Sequence, residues 1–410
     1  MTQTILLYGA TGYSGRLIAA HAAAKWKSHP QYKLVLAGRN GVEVAALAAR
    51  HGVDSRVFGL NERVNVVAQL RDVDVLINAA GPFALTADRL AKGTLAQPRP
   101  CHYVDINGEV DVYKWLDDYA YDARARNIAI VCGAGYTAAA SSILLHAALS
   151  GLKARAPGTR IGAVRIAMSR ISNVSRGSAA TLLRSIREQV TVARATRSVQ
   201  RTRAPKTELA IDYVPAGSLE RTFDFCVDDA LSAKPDRRIA SAANVIDTLA
   251  ARIAARSTGT AVQSITSFIE TSRAGRLVFT ASTLLAPLFA VPAFRAAANL
   301  PIGMLPEGPT KDERDAEPHT VVLEIEDTFC DRIVEWRLQT PNAYDFTAIA
   351  AIAVAEKLAD PSQTGRSGWV TPGEILAHDA ASIEDLGRLS VLAGCKLWGD
   401  EIAAAAKVES

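Results

Sequence analysis

The sequence predicts an α/β protein that begins with a doubly wound parallel sheet. Three observations predict it. Short Val- and Ile-rich runs alternate with helical patterns over residues 1–150. A glycine-rich turn follows the first run at Gly9-Ala10-Thr11-Gly12-Tyr13-Ser14-Gly15. Turn-like segments of small residues follow several later runs. Strands alternating with helices form βαβ units, and the right-handed crossover then places helices on both faces of one sheet.

Taken in order, the candidate strands are Ile5–Tyr8, Lys33–Ala37, Ser55–Phe58, Val73–Asn78, His102–Asp105 and Ile128–Cys132. Helical patterns lie between them at Gly15–Lys25, Val42–His51, Arg63–Leu70 and Val112–Arg126. Residues 151–206 change character, with thirteen Lys or Arg against the single acid Glu188. Val164–Met168 reads there as a strand and Gly177–Val190 as a helix. Gly308–Pro318 is a charged loop. TVVLEIED and RIVEWRLQ, within Thr320–Gln339, alternate with period two and read as two strands joined by a short turn. Tyr344–Ala359 is an Ala- and Ile-rich helix, and Thr371-Pro372 before Glu374 reads as an N-cap and first turn.

Composition narrows the class. The 410 residues are 49% hydrophobic and 21% charged, with a net charge of +4. That length predicts two domains, or three, at roughly 100–200 residues each. The net charge is too small to argue for nucleic acid. Five scattered cysteines without a CxxC pair argue against a zinc site or a disulfide framework, so no metal is expected, and they fit a reducing cytoplasm. The run starting at Thr4 is not preceded by a secretory pattern. Leu277–Phe294 is uncharged and close to a membrane span in length, yet it contains Pro287 and Pro292. A buried or surface-docking segment is the plain expectation, and peripheral membrane or lipid contact through 277–294 is the alternative.

The turn after the first strand carries the chemistry. Gly9 permits a sharp turn, Gly12 removes a Cβ where a pyrophosphate approaches, and Gly15 lets the helix pack on the strand. The helix start offers unpaired amides to an anion, so Ala10, Thr11, Tyr13 and Ser14 are cofactor-binding candidates along with the glycines. At the end of the second strand, Ala37-Gly38-Arg39-Asn40 has no acid for ribose hydroxyls. Arg39 suits a 2′-phosphate by charge and forked geometry, so NADP(H) is preferred, with NAD(H) as the alternative. Asn78-Ala79-Ala80-Gly81-Pro82 follows the fourth strand and lines the same crevice. Asp105 and Glu109 follow the fifth; they are candidates to orient a substrate or, more commonly for such acids, to cap a helix that starts near Asp111. Tyr136 after the sixth strand is a candidate donor to a substrate carbonyl oxygen, against the ordinary expectation of a boundary tyrosine with its hydroxyl in solvent.

YGATGYSG, AGRN, INAAGPF, HYVDINGE and IVCGAGY, in this order, resemble the saccharopine dehydrogenase-like oxidoreductases. RGSAATLLRSI, LPEGPTKDERD and GWVTPGEIL are similar to segments of the trans-acting enoyl reductase branch, which is known from actinobacterial lipid and polyketide assembly. The resemblance implies a Rossmann domain at 1–150, an inserted α+β domain for substrate binding or dimerisation at 151–340, and C-terminal helices at 341–410 that return to the first domain. It implies a nicotinamide cofactor on Gly9, Gly12, Gly15 and Arg39. It also implies reduction of a lipid or polyketide thioester by a hydride, on a substrate that is a small molecule or is carried by an acyl carrier protein or coenzyme A. A homodimer is one expectation. The alternatives are an amino-acid dehydrogenase of the saccharopine type and a cofactor-binding, lipid-associated protein without catalysis. The basic stretch would attract an acidic carrier, or it is a solvated helix face.

Overall fold

The computed structural model describes residues 2–185, 189–197, 207–215, 239–241, 262–271, 288, 291, 294, 300–360 and 366–401. The first part alternates β1 (Gln3–Tyr8), α1 (Tyr13–Trp26), β2 (Tyr32–Gly38), α2 (Gly41–His51), β3 (Asp54–Val57), α3 (Arg63–Gln69), β4 (Val75–Asn78), α4 (Phe83–Leu95) and β5 (His102–Asp105). It continues through α5 (Val110–Asp117), α6 (Ala120–Ala125), β6 (Ala129–Val131) and α7 (Tyr136–Arg155).

The second part holds β7 (Ile161–Met168), α8 (Arg176–Ser185), β8 (Gln189–Arg197), β9 (Thr207–Pro215), β10 (Ile239–Ser241), β11 (Val262–Thr271), α9 (Lys311–Asp315), β12 (His319–Asp327) and β13 (Arg332–Thr340). The chain then returns through α10 (Ala343–Ala359), β14 (Gly368–Val370), α11 (Pro372–Leu376), α12 (Ile383–Gly387) and β15 (Lys396–Glu401).

Seven strands form a parallel sheet in the order β14-β6-β5-β4-β1-β2-β3. Both faces are covered, so the central strands are continuous apolar runs rather than alternating ones. In β1, Ile5 and Leu7 enter the core shared with α1, α2, α7 and α10, while Leu6 and Tyr8 enter the core under α3 to α6. The strand order reverses between β1 and β4, and this switch point opens a crevice at the carboxyl ends of the strands.

The second sheet runs β15-β13-β12-β7-β11-β8-β9, with β10 beside β11. Its pairs are antiparallel except β7 with β11. One face is apolar: Ile166 sits level with Leu323, and Leu323 with Trp336. The other face is ionic, where Arg165 meets Glu324 and Glu326, and Glu335 meets Arg332 and Arg337. The 20-residue helix α7 is buried on nearly every side. A helix with no polar face belongs inside a core. It joins the two sheets in one continuous apolar cluster.

Two expectations need correction, and a third needs an addition. The helix expected over Gly177–Val190 stops at Ser185, and Gln189 opens a strand instead. Consecutive β-branched residues there (Val190, Thr191, Val192) favour pleated pairing. The helix expected over Val112–Arg126 is split at Asp118 into α5 and α6. Adjacent Asp117 and Asp118 oppose the negative end of a helix dipole, which disfavours continuation. The C-terminal segment supplies strands as well as helices: β14 extends the parallel sheet and β15 the second one.

The apolar stretch Leu277–Phe294 lies almost wholly outside the described residues, as does much of the basic stretch after Ser185. Among the described residues, no helix is long and apolar enough to cross a membrane.

Candidate functional site

Gly9 follows β1 with φ +82, a left-handed conformation that a side chain resists. A Cβ on Gly9 would sit 2.6 Å from the Ala80 nitrogen, so the turns after β1 and β4 are in backbone contact. The amides of Gly9 and Ala10 both donate to the Ala37 carbonyl, at 2.9 and 3.2 Å, which ties the turn to β2. Gly15 packs on the Gly9 carbonyl so closely that a methyl group would collide with it. Gly12 is exposed and N-caps α1 without a side-chain cap, and no acid occupies the first turn. A Cβ on Gly12 would meet only the Gly9 carbonyl, at 3.4 Å. The helix start therefore offers amides and positive dipole to an anion, with no side chain in the way. This cradle fits a diphosphate.

Arg39 ends β2 exposed on the adjoining loop, where its charge opposes the burial that raises the Tyr8 hydroxyl pKa. Asn40 is spent locally: its side chain caps α2 by accepting from the Glu43 amide at 3.4 Å. Asn78, fully buried, accepts from the Ala80 amide and donates to Thr86 and to the Tyr103 hydroxyl. Thr86 in turn donates to the Ala80 carbonyl at 2.7 Å. Asn78 thus shapes the Ala80-Gly81-Pro82 turn from below.

Asp105 is completely buried, and its carboxylate accepts from the Gly133 amide, from the Asn107 amide and side chain, and from the Tyr103 hydroxyl. Burial nevertheless pushes its pKa up to about 6, against these donors. Glu109 accepts from the Phe83 and Ala84 amides at 3.0 and 2.9 Å. It therefore caps α4 across the crevice wall, and not the helix that follows it in sequence. Both acids hold this chain's own backbone, Asp105 joining the β5 and β6 loops and Glu109 fixing the start of α4.

Tyr136 opens α7 beyond the end of β6, and its amide donates to Thr347 at 2.9 Å. The ring is 3% exposed and leans edge-on toward Phe346, with the His319 ring 5.4 Å away. Its hydroxyl points to the second sheet rather than to solvent, contrary to the ordinary expectation for a boundary tyrosine. His319 is fully buried at the start of β12. Ser169, just after β7, accepts from the Thr320 amide at 2.9 Å and lies 3.4 Å from His319 Nδ1.

Sequence reasoning missed what packs beside the glycine turn. Residues 305–314 lie against the Tyr13 and Arg16 side chains of the first turn of α1. The Tyr13 hydroxyl donates to the Pro309 carbonyl at 2.6 Å and accepts from Arg314, which also grips Asp345. Arg16 donates to the Thr11 carbonyl and pairs with Glu307. Arg176 binds the same segment at Leu305 and Glu307, while Tyr344 stacks edge-on against Tyr13 and bonds Ser175 and Ser178. Thr310 and Glu313 form a capping box on α9 that fixes the end of this strap. The local signal in the sequence was that T-x-x-E pattern inside the charged loop. Among the described residues, no cluster of metal-ligating side chains occurs.

No protein-family model matches the chain, and no curated protein matches it in sequence. Solved structures do match its shape. Saccharopine dehydrogenase (L-Glu forming) from Saccharomyces cerevisiae superposes over 97% of this chain and 100% of its own, with a TM-score of 0.59 at 11% identity. The chain thus shares the α/β fold of that structure over nearly its whole length. A DAP dehydrogenase from C. glutamicum aligns over 94% of this chain and 98% of its own, with a TM-score of 0.43 at 17% identity.

Proposed function

We propose that this protein is an NADPH-dependent oxidoreductase that reduces a conjugated acyl or polyketide thioester, in the manner of the trans-acting enoyl reductases it resembles. One observation carries the nucleotide reading: an uncapped, unobstructed helix start at Gly12 stands beside an exposed arginine at the end of β2. The α1 amides bind the diphosphate, and Arg39 pairs with a 2′-phosphate. When bound, the nicotinamide supplies the hydride. Asn78 and the Ala80-Gly81-Pro82 turn line the path of the nucleotide across the switch point, and the network around Asp105 keeps that wall rigid.

The thioester reading draws on the basic run after Gly151 and on the apolar composition of 277–294, which suit an acidic carrier and a long acyl chain better than a zwitterion. The amino-acid dehydrogenase reading draws on the shape shared with the yeast enzyme.

Cofactor titration followed by fluorescence tests the first part. Arg39→Ala is expected to weaken NADPH by about 1–3 kcal/mol more than NADH, the usual worth of a charge-assisted hydrogen bond. Equal losses for both nucleotides remove the 2′-phosphate contact from the account. Turnover separates the substrates: steady NADPH oxidation with an enoyl thioester supports the reductase, and oxidation of saccharopine supports the alternative.

A further inference from the structure

At the junction of the two sheets, the Tyr136 hydroxyl and His319 Nε2 are each buried without a hydrogen-bond partner. Their residues are 3% and 0% exposed, on rings 5.4 Å apart. The Tyr136 hydroxyl lies beside Ser169 without completing a hydrogen bond. Other buried tyrosines are engaged. Tyr8 donates to Phe58, Tyr103 to Asp105, and Tyr113 to Asn107. Tyr344 bonds Ser175 and Ser178. An unpaired polar atom inside a core lowers stability, and one on each of two packed rings invites a functional explanation.

Position supplies one. Arg39 stands on one side of the β1/β4 switch point and Tyr136 on the other, beyond β4 and β5 at the end of β6. A dinucleotide held at Gly9–Gly15 with its 2′-phosphate at Arg39 extends its other half toward β6. Resting on that reading, we propose that Tyr136 receives the carbonyl oxygen of the substrate thioester as hydrogen-bond donor and catalytic residue, with the neighbouring His319 ring as a positioning residue. Ser169, held by the Thr320 amide, positions the imidazole through Nδ1. Burial raises the Tyr136 hydroxyl pKa and lowers that of His319, so both groups stay neutral, and the tyrosine keeps its proton.

The electrons balance as follows. A bound reduced nicotinamide would supply the substrate β-carbon with a hydride and its electron pair, and be left oxidised. The displaced double-bond pair moves toward the carbonyl, whose own pair comes to rest on oxygen. The Tyr136 O–H donates to that oxygen without breaking. The α-carbon then takes a proton from water as the carbonyl re-forms. A fixed donor aimed at developing charge is worth more than one in water, because it needs no reorganisation.

The test uses full-length wild type, Tyr136→Phe and His319→Gln. Three quantities are measured: thermal midpoint, NADPH affinity by fluorescence, and NADPH oxidation with the crotonyl thioester of N-acetylcysteamine. Tyr136→Phe is expected to hold or raise the midpoint, because it removes a hydroxyl with no partner. NADPH affinity should stay within about twofold, while turnover falls roughly 100- to 1,000-fold, as for loss of an oxyanion donor. His319→Gln should lower turnover less and also leave nucleotide affinity intact. Retained turnover in Tyr136→Phe, or a clear drop in its midpoint, overturns the assignment. If wild type binds NADPH but does not oxidise it with this thioester, the substrate reading fails. The midpoint of Tyr136→Phe then decides alone: a rise keeps the pair as a ligand site, and a fall makes it structural.

Discussion

Asp105 shows how a residue singled out for chemistry serves the scaffold. The position was legible, since an acid ends a buried strand in HYVDINGE. Its distant partner was not, because Gly133 lies 28 residues away and meets it only through the pairing of β5 with β6. Burial lifts its pKa from the ordinary 3.8 to about 6. A carboxyl raised in the fold stabilises it fully below the unfolded value, and that contribution is lost as pH climbs through about 6. Asp105→Asn, which keeps the shape but cannot ionise, is therefore expected to flatten the fall in stability between pH about 4 and 6. Thermal midpoints of the two proteins across that range provide the check. Parallel curves would mean that Asp105 does not titrate there. Arg39 is the opposite case: its place after β2 is legible in sequence, and its role rests on the proposed 2′-phosphate contact.

At the scale of elements, the start of α4 depends on a residue that local rules assign elsewhere. Pro82 is its N-cap and offers no side-chain acceptor, so the first amides need one from outside. Glu109 reaches them from the loop after β5 with both carboxylate oxygens. Its own helix α5 goes without a side-chain cap. Glu109→Gln keeps one acceptor and loses the charge at the helix dipole. Denaturant unfolding should show a loss of about 1–3 kcal/mol, because a buried charge-assisted contact is broken. A loss confined to a few tenths would show that α4 is capped otherwise. The capping boxes at Thr310 and Thr371 lie within four residues of sequence, which is why T-x-x-E is visible without a structure. The α7 helix escaped notice for the converse reason: almost every side is buried, so its apolar residues show no stripe.

At the scale of the whole molecule, the parallel sheet was legible through β6 because each strand brings its own helix and turn. The closing strands were not. β14 has three residues and β15 six, too few for a period to declare itself, and each pairs with a strand far back in the chain. Their role is to cover edges. β14 covers β6 and buries Trp369 completely against Tyr113, while β15 covers β13. Between them, α11 packs on α7, with the Gly373 amide donating to Ser142 at 3.0 Å. The last segment therefore fastens both sheets to the helix they share. A chain ending at Asp360 would expose two strand edges and lose the burial of Trp369. Burying one large aromatic of 150–250 Å² contributes about 4–6 kcal/mol at roughly 25 cal/mol/Å², a large share of the margin of an ordinary fold. Free strand edges also invite pairing between molecules. The truncated chain is accordingly expected to elute as aggregate in size exclusion and to lose its cooperative thermal transition. Recovery of a monodisperse protein that melts like the full chain would show that the first 360 residues complete both sheets unaided.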